Sequence, residues 1–452
     1  MRKIIFFNIL VILNLIFFDF ILYADSEKKG RPETRKKHNI ILIDVDSLRP
    51  DHLSCYGYKR ATSPGIDELA SRGILFRQAI SQSNFTLPSI ASLFTSKYVS
   101  AHGVNLDDKK LNQMELTLAE ILKIYGYSTA AYVGTPHLNK IYGFDQGFDL
   151  YHDEFQDNPE GSFKVIMPLA IEWIENHKWT NFFLFLHSYD VHTSYHCHPD
   201  FDNIYDPGYK GIVDMLYLHY AFLQKVKKGE VFLDENKTQK ITLTQKDIDH
   251  IIAHYDGGIT YADHYVDLLI SKLRELSILK DTIIFLFSSH GEGLLDHQKR
   301  YLQLEGPEFS GFGHTNLYYD EVLRVPLIIY HPGIKGKYEI FSQVQLIDIM
   351  PTILDFLDIQ FNEEAQGKSV VPLIEGNASE DFNKYVFSEI GYGFLAVRTE
   401  KWKLICYEEE CELYDLDNDP KESNNLSNKR PDIVSELFLI LRKWHISNKN
   451  NS

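Results

Sequence analysis

The run His38–Asp46, HNIILIDVD, is apolar almost without a break and then ends on carboxylates. A strand with one wet face alternates apolar and polar side chains. An unbroken apolar run instead needs cover on both faces, as a parallel strand between helical layers has. The rest of the chain supplies those layers in turn. TSPGIDELASRG reads as a helix opened by Ser63-Pro64 and closed by Gly73, ILFRQAIS as a strand, LTLAEILKIYG as a helix before Gly126, and STAAYVG as a strand. A helix around VIMPLAIEWIENH, the strand NFFLFLHSY, the helix ITYADHYVDLLISKLREL and the strand DTIIFLFSSH continue the series, followed by VPLIIYHPG and LIDIMPTILDFL. Such alternation predicts an α/β fold, a sandwich around a mostly parallel central sheet whose ligands bind beyond the carboxyl ends of the strands.

The tail changes character. YVFSEIGYGFLAVRTEKWKLICYEEECELYDLDNDP is a string of short strands and turns before a helical DIVSELFLILRKW. This predicts a smaller C-terminal antiparallel-sheet domain over 375–452, behind a large α/β domain over 38–374. Residues 205–250 read as an irregular, charged surface insertion. Residues 1–24 place Arg2 and Lys3 before an apolar run and Ala24, the pattern of an export signal cleaved near Ala24. The run is also long enough to stay as a membrane anchor, and only then is a membrane a partner. Residues 25–37 form a charged linker. The expected location is therefore outside the cytoplasm, periplasmic or secreted. Of four cysteines, Cys406 and Cys411 flank a turn and suit a hairpin bridge, whereas Cys55 and Cys197 read as lone thiols. The net charge of −17 argues against nucleic acid, which needs a basic face, but leaves room for a small anionic substrate at a local site.

The strand ends carry the chemistry. The first gives Asp44, Asp46 and Ser47. STAAYVG leads into His137, NFFLFLHSY gives His187, Asp190 and His192, and DTIIFLFSSH gives Ser289, His290 and Glu292, with His314 following in FGHTN. Polar clusters closing separate strands suit a hard cation held by carboxylate and imidazole beside a nucleophile. The nucleophile candidate is Thr86 in FTLPSIASLFT, at the mouth of a helix whose first turn contains Pro88. A hydroxyl there serves as an N-cap, and a helix N-terminus also favours negative charge. We expect Thr86 to do both. Glu292 and Asp296 read most simply as solvated acids.

Seven blocks in order, from NIILIDVDSLRPDHLSCYGY through TLPSIASLFTSKYVSAHGV, FLFLHSYDVHTSY, SSHGEGLLDH, GFGHTNLYYDEVLRVPLIIYHPG and LIDIMPTILDFL to LAVRTEKWKLI, resemble the sulfatase family of the alkaline phosphatase superfamily. The resemblance implies an alkaline-phosphatase-like sandwich with a small C-terminal sheet domain. It also implies one divalent metal ion (Ca, Mg, Mn or Zn) beside the nucleophile. By position, Asp46 matches the first metal-binding acid, Thr86 the nucleophile, and His290 a metal ligand. His137 and His192 match substrate-contacting histidines, and His314 the residue that meets the leaving group. Ser289 stands where a metal-binding Asp is usual, and Ser47 where a second acid is frequent. Asp44 is a spare carboxylate able to compensate, as is Asp296.

Thr86 also departs from the family's Cys or Ser, which is converted to formylglycine, and Ile90 replaces the Arg of that motif. Thr cannot form the aldehyde. A Thr sulfate ester must lose its group by attack of water at sulfur, which favours phosphate or phosphonate esters on chemical grounds. The expected function is an exported, metal-dependent hydrolase of sulfate or phosphate esters, with an anionic glycan or lipid headgroup as the candidate substrate. The alternatives are a catalytically impaired member that binds such a ligand, and a phosphoryl or headgroup transferase passing through a phospho-Thr.

Overall fold

Strand and helix alternate around an eight-stranded sheet. In the computed structural model its order is 338–345, 74–80, 324–330, 282–287, 39–45, 182–188, 128–133, 150–152. The structure describes residues 38–450 apart from 107–108, 155–161, 196–197, 199, 217–225, 228–229, 233–239, 298–310, 315–317, 361–364 and 391–392. The leader and linker expected over 1–37, and Cys197, lie outside the described residues.

Strand Asn39–Val45 runs through the middle and is buried at every residue. It pairs in parallel with Phe182–Ser188 and Thr282–Phe287. The apolar run has the two-sided cover its composition demands. Ile41, Ile43 and Val45 join Leu184, Leu186, Ile284 and Leu286 in one core, while Ile40 and Leu42 join Phe183, Phe185, Ile283 and Phe285 in the other. Each such side chain contributes about 1.5–3 kcal/mol on burial. Helices Pro64–Ser71, Ser162–His177 and Gln245–Glu275 pack on the first face, and Thr86–Thr95, Leu118–Ile124 and Ile349–Phe356 on the second. Strand Arg324–Tyr330 is antiparallel to both its neighbours, so the sheet is mostly rather than wholly parallel.

The tail forms a separate four-stranded antiparallel sheet, Val386–Ile390, Phe394–Arg398, Trp402–Tyr407 and Glu410–Asp415, with helix Pro431–Asn450 after it. Cys406 and Cys411 face each other across the last hairpin and are disulfide-bonded; Cys55 is free. The insertion expected over 205–250 is shorter than its charge suggested. Helix Gln245–Glu275 already starts at 245, where Thr244 and Asp247 form a reciprocal capping box. Among the described residues no helix is long and apolar enough to cross a membrane.

Candidate active site

Three adjacent strands, 182–188, 39–45 and 282–287, finish side by side, and the polar residues closing them meet there. Register puts Asp44 directly beside His187. Asp46 leaves the strand with its N–H donating to the Ser188 carbonyl at 3.0 Å. Ser47 then takes φ 64°, a left-handed conformation rare for a residue with a Cβ, and its carbonyl accepts from Tyr255 Oη at 2.7 Å. This turn aims Asp46 towards helix Thr86–Thr95.

Thr86 is the first residue of that helix, and the expectation that it also caps the helix is not met. Phe85 holds the N-cap position with no side-chain cap, and Thr86 turns its hydroxyl elsewhere. Its Oγ1 donates to Asp46 Oδ2 at 3.0 Å and lies 3.1 Å from His290 Nε2. His290 Nε2 is also 3.1 Å from Asp46 Oδ1. Asp46 and His290 are fully buried and Thr86 nearly so. Acid, alcohol and imidazole from three parts of the chain thus share one point, as the sequence had suggested.

The electrostatics of that point are specific. His290 Nδ1 is 2.9 Å from the Gly291 carbonyl, so it carries the ring proton there and leaves the Nε2 lone pair facing Asp46 and Thr86. A lone pair, a carboxylate and a hydroxyl oxygen this close need positive charge among them, either a proton on Nε2 or a cation. A backbone carbonyl holding the far nitrogen is also how metal-bound imidazoles are oriented. Burial alone would raise the Asp46 carboxyl, but His290 and His187 beside it pull it well below the usual range. Burial pushes Asp44 up to about 7. Its Oδ1 accepts the Ser289 N–H at 2.8 Å, while its Oδ2 has no hydrogen-bond partner. His187 Nε2 sits 3.6 Å from Asp44 Oδ2 and 3.5 Å from Asp46 Oδ2. Burial works against its charge, yet the two acids raise its pKa.

Ser289 adds no charge. Its hydroxyl donates to Asp46 Oδ1 at 3.1 Å. The donors fit a divalent cation on Asp46, His290 and Thr86, with Ser289 and the free Asp44 oxygen beside them. This set has fewer carboxylates than a hard-cation site usually offers, and its imidazole suits zinc.

His192 and His314 form a second imidazole pair with Nε2 atoms 3.0 Å apart. Each Nδ1 is 2.7 Å from a carbonyl oxygen, of Thr193 and Asn84 respectively. Both rings therefore donate at Nδ1, and the Tyr189 hydroxyl lies 3.0 Å from His192 Nε2. Burial lowers His192 to about 4 and holds His314 well below its ordinary value, which leaves their Nε2 lone pairs unprotonated near neutral pH. The His314 ring lies 4.0 Å from that of His290, which joins the pair to the nucleophile cluster. His137 lies further out, exposed with its ring 6.4 Å from that of Tyr189, and within electrostatic reach of Asp46, His187 and His290.

Two expectations about acids fail. Glu292 is fully buried, not solvated. Thr193 Oγ1 donates to it at 3.1 Å, and burial pushes it up to about 8. Asp296 cannot supply a spare carboxylate, because it is held by the Arg49 guanidinium at 2.6 and 3.2 Å. His187, read at a strand end without a role of its own, joins the site through its place on the strand that pairs with 39–45.

A family model described as Sulfatase matches residues 38–359, and one described as N-sulphoglucosamine sulphohydrolase, C-terminal, matches 308–443. An arylsulfatase of Clostridium perfringens is 26% identical, with 87% of this chain and 90% of that protein covered. A structure described as a complex with its substrate D-glucosamine-2-N,6-O-disulfate superposes with TM-score 0.74 at 21% identity, covering 92% of this chain and 99% of the other. The phosphonate monoester hydrolase of Agrobacterium radiobacter superposes at 0.73 with 19% identity, covering 90% and 96%.

Proposed function

Because this chain belongs to the sulfatase family, a family of ester hydrolases, we propose that it is an exported, metal-dependent hydrolase of sulfate or phosphate esters with Thr86 as its nucleophile. The observation that carries this reading is the placement of Thr86 Oγ1 at 3.0 Å from Asp46 and 3.1 Å from His290. The hydroxyl heads a buried helix, and a helix N-terminus favours negative charge. Asp46, His290 and Thr86 would hold the cation, with Ser289 and Asp44 beside them. When bound, such an ion lowers the pKa of an adjacent hydroxyl and offsets charge on a transferred group.

The chain's own residues then divide the work. Thr86 Oγ1 bonds to sulfur or phosphorus as the bond to the leaving oxygen breaks. Asp46 Oδ2 takes the Thr86 proton, and the leaving oxygen takes a proton from solvent beside His192 and His314. Water next attacks sulfur or phosphorus and gives a proton to an Nε2 lone pair of that imidazole pair, which passes it to solvent, while Thr86 leaves as the bond to sulfur or phosphorus breaks and recovers its own proton from Asp46. His187 keeps two buried carboxylates side by side.

A cavity of about 840 Å³ adjoins the site, with Phe85, Phe394 and Phe438 beside Arg442 and His445. Phe85 belongs to both places, since its ring meets His314 edge-on at 5.3 Å. Aromatic faces beside the Arg442 guanidinium, with Glu389 and Glu408 also in the lining, suit a saccharide part of a substrate, in keeping with the sulfated sugar bound by the structural relative.

The test is to quench the full chain during turnover of radiolabelled aryl sulfate and aryl phosphate. Label is expected on a Thr86 peptide, and Thr86→Ala should lose at least about 1000-fold in turnover with unchanged circular dichroism. Turnover surviving Thr86→Ala would refute the nucleophile. Stoichiometric ester binding without turnover would leave a binding protein, and label delivered to glycerol or a sugar instead of water would make it a transferase. Export is checked separately, by N-terminal sequencing of the mature chain, which is expected to start after Ala24.

A further inference from the structure

Away from this site, the N-terminal half of helix Gln245–Glu275 carries His250 and His254, one turn apart on one face and both fully buried. Their ring centroids are 4.3 Å apart. Asp214, at the start of the insertion, faces them, and one ligand atom from each of Asp214, His250 and His254 lies within 4.8 Å of the others. We propose that these three side chains form a second metal site, for a zinc-class divalent cation, that clamps the insertion to the helix.

Proton accounting at His250 supports the assignment. Its Nδ1 is 3.0 Å from Asp206 Oδ2, so the ring proton sits there and the Nε2 lone pair points at Asp214 Oδ1, 3.2 Å away. Two electron-rich atoms at that separation need positive charge between them. A cation supplies it and engages His254 as well. The surroundings match a built site, because a carboxylate on the far nitrogen is the usual means of orienting a metal-bound imidazole. Two imidazoles and one carboxylate select zinc or cobalt over calcium or magnesium, which prefer oxygen. Asp214 is the exposed member, leaving a coordination position open to water.

The insertion is already shaped around the spot. Tyr209 stacks on His250 with centroids 3.7 Å apart, donates its hydroxyl to Asp247 and accepts the Val213 N–H at 3.1 Å. A cation on Asp214 would lock residues 206–214 to the helix. The next helical residue after His254 is Tyr255, whose hydroxyl holds the Ser47 carbonyl beside Asp46. The clamp therefore sits on the element that fixes the turn of the proposed nucleophile site, though it does not depend on that site's chemistry.

The experiment separates the two sites by working in the Asp46→Asn background, which removes the main carboxylate of the first. Chelator-stripped full chain is titrated with Zn²⁺ by calorimetry, and with Co²⁺ by visible absorption. Asp46→Asn is expected to keep one tight equivalent, and Asp46→Asn/His254→Gln and Asp46→Asn/Asp214→Asn to bind at least about tenfold more weakly. Asp214 is exposed, so its variant reads the site even where loss of His254 disturbs folding. No stoichiometric Zn²⁺ in Asp46→Asn, or unchanged affinity in natively folded double variants, overturns the proposal and leaves His250 as an imidazolium between two acids.

Discussion

Ser289 gives the sharpest test at the level of single side chains. It donates a hydrogen bond to Asp46 where a carboxylate is usual, so Ser289→Asp adds a third buried acid next to Asp44 and Asp46. In chelator that acid is uncompensated, and the melting temperature should fall. With a divalent cation it becomes a ligand, and calorimetry should show binding at least about tenfold tighter than in the parent. The penalty without the gain in affinity would place the cation elsewhere. Asp46, Thr86, His290, His192 and His314 were legible in the sequence because each follows a strand end or opens a helix, where an α/β sheet exposes its polar groups. His187 was legible as a strand-end residue, whereas its place level with Asp44 on the next strand is a matter of register. The burial of Glu292 and the engagement of Asp296 were hidden for a related reason. Their partners, Thr193 and Arg49, are remote in sequence.

Among elements, the strand–helix alternation could be read because continuous apolar strands and amphipathic helices differ in period. The order of strands could not, and the antiparallel placement of Arg324–Tyr330 left no mark in its composition. The early start of helix Gln245–Glu275 was masked by charged residues that in fact cap it and meet the insertion. A glycine joins two of these elements. Gly291 follows His290, and its N–H donates to the Val322 carbonyl at 2.8 Å. A Cβ built there would lie 2.1 Å from the Glu321 carbonyl oxygen, a backbone atom that cannot swing aside. Gly291→Ala should therefore cost about 1–3 kcal/mol in urea denaturation. It should also displace His290 and lower turnover more than stability. A neutral substitution would show that helix Asp320–Leu323, which carries Glu321, gives way easily.

For the molecule as a whole, His297 reports cohesion between the large sheet's loops and the C-terminal segment. Its Nδ1 is 2.6 Å from Glu321 Oε1, its Nε2 is 3.2 Å from the Glu422 carbonyl, and its ring stacks on Tyr319. Burial opposes its charge, but Glu321 raises it to about 8 from an ordinary 6.5. A raised basic group stabilises the fold fully below about pH 6.5 and loses that contribution as pH climbs through 8, here about 2 kcal/mol. Urea midpoints should fall between pH 6 and 9, and His297→Gln should flatten the fall; an equal slope in both proteins would exclude His297 as its source. The way three neighbouring strands end together has one more consequence. Asp44 and Ser289 close adjoining strands and touch through the Ser289 N–H, so a carboxylate carried by either strand comes within a few ångströms of Asp46.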